Sequence, residues 1–175
     1  PLRPGYPKED MRSRWFPQID SKAFNQILKY WDENGVLNNK NNNLFLAGFS
    51  PQPSGRQEEW IRMILDIMSG ALFFPPPFEE IKKQLQIPDD EFNEVIAYLM
   101  AIGKVIKINQ EIYFHVEAIE KGRQILAEYF TREKELSLAK ARDLFDTTRK
   151  YALPLIEYYD RIKFTRRVGD IRIKI

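Results

Sequence analysis

The stretches FNQILKYWDENGVLNNKNNNLFLAGF (Phe24–Phe49), FNEVIAYLMAIGKVIKINQEIYFHVE (Phe92–Glu117) and ALPLIEYYDRIKFTRRVGDIRIKI (Ala152–Ile175) are one pattern written three times, displaced by 68 and then by 60 residues. Each opens with apolar residues at helical spacing: Phe24, Ile27, Leu28 and Trp31; Phe92, Val95, Ile96 and Leu99; Leu155, Ile156 and Tyr159. Gly35 and Gly103 then occupy one slot, where a helix stop belongs, and Lys163 takes that slot in the third copy. Two short β-prone runs follow in each copy. They flank polar turns at Asn38–Asn43, Asn109–Glu111 and Val168–Asp170, so each pair is expected to form a hairpin.

The residues upstream complete the unit. In the second copy Gln57–Met68 has the apolar spacing of an amphipathic helix. Pro75–Pro77 breaks it, Phe78–Leu85 reads as a short helix, and Asp89-Asp90 are placed to cap the main helix. The third copy repeats the order with a helix near Ala118–Phe130, a short helix from Ser137 to Phe145, a turn at Asp146-Thr147, and Thr148 as cap. The first copy starts at its short helix, Lys8–Trp15, so the chain is expected to be a fragment that opens inside a unit. Helix, short helix, turn, helix and hairpin make a helix-turn-helix with a wing. The expected fold is therefore mainly α with small β-hairpins (α+β), an elongated array of tandem winged-helix domains. Its parts are a truncated unit at 1–50, a second at 56–117 and a third at 118–175, with Pro51–Gly55 as linker.

Charge separates the copies. Residues 1–136 hold 17 Lys+Arg against 20 Asp+Glu, whereas residues 137–175 hold 10 against 5. A basic surface confined to one segment fits a nucleic-acid partner, and a solvated basic face is the plain alternative. The upstream units read as spacers: their main helices start with Asp20-Ser21 or Asp89-Asp90, and acids at a helix start repel phosphate. No Cys is present, which removes disulfides, thiolate metal sites and thiol nucleophiles. No apolar run nears the roughly 20 residues of a membrane span. A cytoplasmic, monomeric chain without membrane association is expected. His115 is the single His, so neither a metal site nor a catalytic triad is expected, and no catalytic constellation is visible.

The stretch ARDLFDTTRKYALPLIEYYDRIKFTRRVGDIRI (Ala141–Ile173) resembles the last winged helix of the selenocysteine-specific elongation factor (SelB) family. PLRPGYPKEDMRSRW (Pro1–Trp15) and FFPPPFEEIKK (Phe73–Lys83) resemble its second and third, which makes residues 118–175 its fourth. Phe145-Asp146 and Thr147-Thr148 depart from the family's Leu-Gly and Gly/Ala-Ser/Thr at the turn. The resemblance implies recognition of an mRNA hairpin, the selenocysteine insertion element, which tethers selenocysteyl-tRNA delivery to UGA. In the full-length factor GTP and Mg belong to a GTPase domain, and through that factor the chain would meet ribosome and tRNA. These residues contain no G-x-x-x-x-G-K-[ST], so the fragment itself is expected to need no cofactor and to be no enzyme.

The expected RNA-binding residues are Thr148, Arg149 and Lys150, where helix amides and side-chain charge favour phosphate, and Arg166, Arg167, Val168, Gly169, Asp170 and Arg172 on the wing. Arg142, on the short helix, is assigned to phosphate or to a pair with Asp146. Tyr151, Leu153, Leu155, Ile156 and Tyr159 read as core, while Pro154 should cost its helix one hydrogen bond or bend it. A winged-helix DNA-binding regulator and a protein-interaction scaffold are the rival readings.

Overall fold

The computed structural model describes residues 2, 5–40, 42–49 and 51–175, with Lys40 described in its backbone alone. The chain forms two compact bodies, Pro1–Gln57 and Glu58–Ile175.

In the first body, β1 (Tyr6–Pro7) precedes α1 (Lys8–Trp15), α2 (Ser21–Glu33), β2 (Leu37–Lys40) and β3 (Asn43–Leu46). The strands are antiparallel in the order β1-β3-β2. Phe24 and Leu28 on α2 bury against Leu37 and Leu44 on the hairpin, with Met11, Phe16, Ile19 and Trp31 closing the sides. The expected turn Asn38–Asn43 falls partly on residue 41, outside the described residues.

The second body runs through α3 (Gly55–Ala71, its first residues preceding the body's boundary), α4 (Phe78–Leu85), α5 (Asp89–Ala101), β4 (Val105–Lys107) and β5 (Tyr113–His115). It continues with α6 (Val116–Tyr129), β6 (Leu136–Ser137), α7 (Leu138–Leu144), α8 (Arg149–Arg161), β7 (Thr165–Val168) and β8 (Ile171–Lys174). Ser54 and Gln57 form half a capping box at the start of α3, the Gln57 side-chain Oε1 accepting from the Ser54 amide at 2.9 Å. No linker separates residues 56–117 from 118–175. His115 ends β5 and is itself the cap of α6, its Nδ1 accepting from the Glu117 amide at 3.2 Å.

One core spans this junction: Phe73, Ile108, Ile112 and Phe114 bury together with Leu126, Phe145, Leu155 and Tyr159. The Thr147 hydroxyl donates to the Phe73 carbonyl at 2.7 Å, and the Phe73 and Phe145 rings lie 5.0 Å apart. The buried Tyr159 hydroxyl donates to the Ile119 carbonyl at 2.7 Å, and burial pushes that phenol's pKa well up. The turn before α8 is thus built against the preceding repeat.

The repeated helix stop is one structure in all three copies. Gly35, Gly103 and Lys163 have φ of 67°, 73° and 60°. The following amides of Val36, Lys104 and Phe164 each donate 2.9 Å back to Trp31, Leu99 and Tyr159. This is the Schellman arrangement, which closes orphan carbonyls and favours glycine. Lys163 adopts it at the steric cost of a Cβ in left-handed backbone.

The sheets differ. β1 and β6, each only two residues, add a third strand to the first and last sheets, in the orders β1-β3-β2 and β6-β8-β7. The middle sheet is the pair β4-β5. Where β1 and β6 lead into their short helices, the middle copy has Pro75-Pro76-Pro77 before α4. β1 itself ends on Pro7, paired with Asn43, so a single proline is tolerated in such an edge strand; three in succession leave no N–H for a ladder, and residues 75–77 form no strand.

Candidate nucleic-acid interface

α8 begins differently from its two counterparts. On α2 the Asp20 carboxylate accepts from the amides of Lys22 and Ala23 at 2.8 and 2.9 Å. On α5 the cap position is Pro88, and Asp89, Asp90 and Glu91 fill the first turn. The expectation that Asp89 caps α5 is corrected: its carboxylate pairs with Lys82 Nζ at 2.9 Å, and the Asp side chains accept no cap bond. On α8 Thr148 holds the cap position with extended backbone but makes no side-chain cap bond, which corrects the expectation that its hydroxyl caps the helix. Thr148, Arg149 and Lys150 are all exposed, and no acid stands in the first turn. Unsatisfied amides, the positive end of the helix and two cations therefore meet at one place. Lys150 Nζ lies 5.4 Å from the Tyr151 ring centre.

Pro154 lies inside α8, which continues to Arg161. Having no N–H, it leaves the Lys150 carbonyl without its i+4 donor. Ala152, Leu155, Ile156 and Tyr159 are the residues α8 buries, whereas Tyr151 and Leu153 are half-buried and pack against the core.

On the wing, Arg166, Arg167, Val168, Gly169 and Asp170 are exposed. Gly169 turns the hairpin with φ 59°, and Arg167 Nε donates to its carbonyl at 2.9 Å, folding that side chain over the tip. Arg172 departs from expectation. It is 3% exposed, and its Nε donates to Asp160 Oδ2 at 3.3 Å, so it faces α8 and is removed from the RNA-facing set. Asp160 Oδ1 accepts from the Thr165 hydroxyl at 2.6 Å, so one carboxylate of α8 holds both wing strands. The unforeseen strand β6 explains the change: Leu136, itself fully buried, is the register partner of Arg172 and makes that position interior. Arg142 is exposed and pairs with Asp143, at 3.0 and 2.7 Å, rather than with Asp146. Such an exposed pair contributes little and opens readily.

Family models described as "Elongation factor SelB, winged helix" match residues 1–46 and 128–173, together more than half of the chain. This chain belongs to the SelB family. The two models are those of the second and the third SelB winged helix, so the segment counted above as fourth carries the third-domain model; the family is the same and the ordinal differs. A selenocysteine-specific elongation factor of Desulfomicrobium baculatum is 29% identical over 102 residues, 58% of this chain and 16% of that relative. The mRNA-binding domain of elongation factor SelB from E. coli, solved in complex with SECIS RNA, is 19% identical with TM-score 0.59, covering 70% of this chain and 98% of that one. The bacterial selenocysteine-specific elongation factor EF-Sec is 22% identical with TM-score 0.59, covering 98% of this chain and 26% of that one. The SelB fold, tandem winged helices of α+β class, thus extends over the whole chain, which spans a small part of the full-length factors it resembles. Among the described residues no helix is long and apolar enough to cross a membrane.

Proposed function

We propose that residues 118–175 bind an mRNA stem-loop, the selenocysteine insertion element, and that the repeats at 1–50 and 56–117 carry this reader as part of a longer elongation factor. In that factor the bound hairpin would tether selenocysteyl-tRNA delivery to UGA at the ribosome. The observation that carries the reading is the exposed, uncapped Thr148-Arg149-Lys150 start of α8 in the same unit as the exposed Arg166 and Arg167 of the wing. The deep, narrow major groove of RNA does not admit a recognition helix, so phosphate contacts from these cations and contacts to unpaired loop bases are the expected mode. The fragment acts by binding and takes no cofactor of its own.

A titration of the chain with a bacterial selenocysteine-insertion hairpin, competed by a scrambled hairpin and by duplex DNA, tests this. The native hairpin should win by at least about tenfold, or 1.4 kcal/mol. Equal competition by duplex DNA would favour a transcriptional regulator, and absence of nucleic-acid binding would favour a protein scaffold.

A further inference from the structure

The prolines that keep a third strand off the middle sheet leave a cleft in its place. It measures about 340 Å³ and lies between Pro75–Pro77, the β4-β5 turn and the start of α8. That volume is within the range of small-ligand clefts, about 300–1,000 Å³. Phe78 and Tyr113 line it as a stacked pair, ring centres 4.1 Å apart and planes 23° apart. Lys150 and Tyr151 of the RNA-facing helix line the other side. Two carboxylates, Glu79 and Glu111, are also at the cleft, Glu79 being paired with Lys82 at 2.6 Å.

This combination selects an occupant. Flat aromatic and proline walls hold a planar ring, and base–aromatic stacking is a general mode of holding unpaired nucleotides. Glu111, unlike the Lys82-paired Glu79, stands as an acid at the cleft and disfavours phosphate there, while the exposed Lys150 at its edge and Arg149 beside it favour the backbone outside. Glu111 is exposed on the wing turn and accepts hydrogen bonds, so it complements an exocyclic amine. We propose that the Pro75–Pro77/Tyr113/Tyr151 cleft receives one unpaired, amine-bearing base of the RNA held by α8, so that the middle repeat contributes to recognition and does more than space the units. The inference rests on the RNA reading above and adds to it a second, base-holding subsite outside the last repeat.

The test uses the whole 175-residue chain. A selenocysteine-insertion hairpin carries 2-aminopurine at each unpaired position in turn, and a single-stranded hexanucleotide with one 2-aminopurine serves as a second probe. The cleft predicts stacking quench at one hairpin position, loss of that quench in Tyr113→Leu, and roughly tenfold weaker binding when purine lacking the amine replaces that base. Glu111→Ala, which leaves no side-chain acceptor, should abolish the preference for the amine without altering the fold, and it decides the matter if Tyr113→Leu does not fold. Arg166→Ala should weaken the hairpin but leave the quench at saturation unchanged. If the hairpin does not bind but the hexanucleotide is quenched in a Tyr113-dependent manner, the proposed function fails and the cleft stands. Quench of neither probe, or quench untouched by both cleft variants, overturns the cleft.

Discussion

The main helices of the three repeats have the same length, the same stop and opposite starts. α2 is closed by the Asp20 carboxylate and α5 opens with three acids, whereas α8 opens on Thr148, Arg149 and Lys150 with its amides unclosed by any side chain. In a fold that fixes backbone geometry so tightly, two or three residues at one helix end decide whether the unit attracts or repels a phosphate. A second contrast cuts across the first. The first repeat has a core of its own, while the middle and last share theirs through Phe73. Electrostatics therefore sets the last repeat apart, and packing joins it to its neighbour.

The largest expected effect tests that second contrast. Removing residues 1–53 leaves α3 whole and should leave both the cooperative melt of the second body and hairpin affinity little changed; a loss beyond about tenfold would show that the first repeat touches RNA. Removing residues 1–117 takes away Phe73, Ile108, Ile112 and Phe114 together. The remaining fragment should lose its cooperative thermal transition, because several large core side chains go at once. A fragment that melts cooperatively at the parent temperature would refute the shared core.

Next in size is Asp160→Ala. It strands the Arg172 guanidinium, which is buried and has an Nη2 without a hydrogen-bond partner, and it frees Thr165. Chemical denaturation should show a loss of about 3 kcal/mol or more, the cost of leaving a buried charge unpaired. A loss under about 1 kcal/mol would mean that the wing is held to α8 by its apolar contacts alone.

How far the sequence disclosed this architecture depended on the kind of signal. α1 and α4 fall at the expected Lys8–Trp15 and Phe78–Leu85, because a proline, a strong local signal, stands just before each, and at α4 apolar spacing adds to it. The shared slot of Gly35, Gly103 and Lys163 was legible because one backbone conformation is needed in all three copies. β1 and β6 were not: two residues show no alternation, and their pairing is decided by a strand more than 30 residues away. Arg172 follows from the same gap, since only β6 makes its position interior. The Thr147 bond to Phe73 joins residues 74 apart and leaves no local trace. At Thr148 the residue type predicted a cap bond that the side chain does not make.

Smaller effects sharpen the comparison of the stops. Lys163→Gly should stabilise the chain by about 1 kcal/mol, since it removes a Cβ from left-handed backbone that two sister copies fill with glycine. Nothing lies within 4 Å of a Cβ at Gly35 or Gly103, so backbone conformation is the reason for glycine there. A destabilisation in this variant would show that the Lys163 side chain holds the wing. Smallest is the pH effect at the junction. His115 is buried, and desolvation lowers its pKa below the ordinary value, with only partial opposition from Glu117. The unfolded chain therefore takes up the proton first as pH falls. The contribution of neutral His115 is fully present above about pH 6.5 and is lost as pH drops below it. Protonation also removes the Nδ1 acceptor that caps α6. Thermal melts between pH 8 and pH 5 should fall more steeply in the parent than in His115→Asn; parallel curves would place the pH dependence elsewhere.

The central claim is that phosphate is bound where a basic, unclosed helix start and a basic wing tip occur in one repeat. The direct measurement is hairpin affinity at two or more salt concentrations for Arg149→Ala, Arg166→Ala and Arg167→Ala, each with its fold checked by circular dichroism. Each substitution should weaken binding across hairpin variants and lower the slope of log affinity against log salt by about one unit. Unchanged affinity and slope in Arg149→Ala and in a double Arg166→Ala/Arg167→Ala variant, both folded, would contradict the account and leave the basic residues as solvated surface.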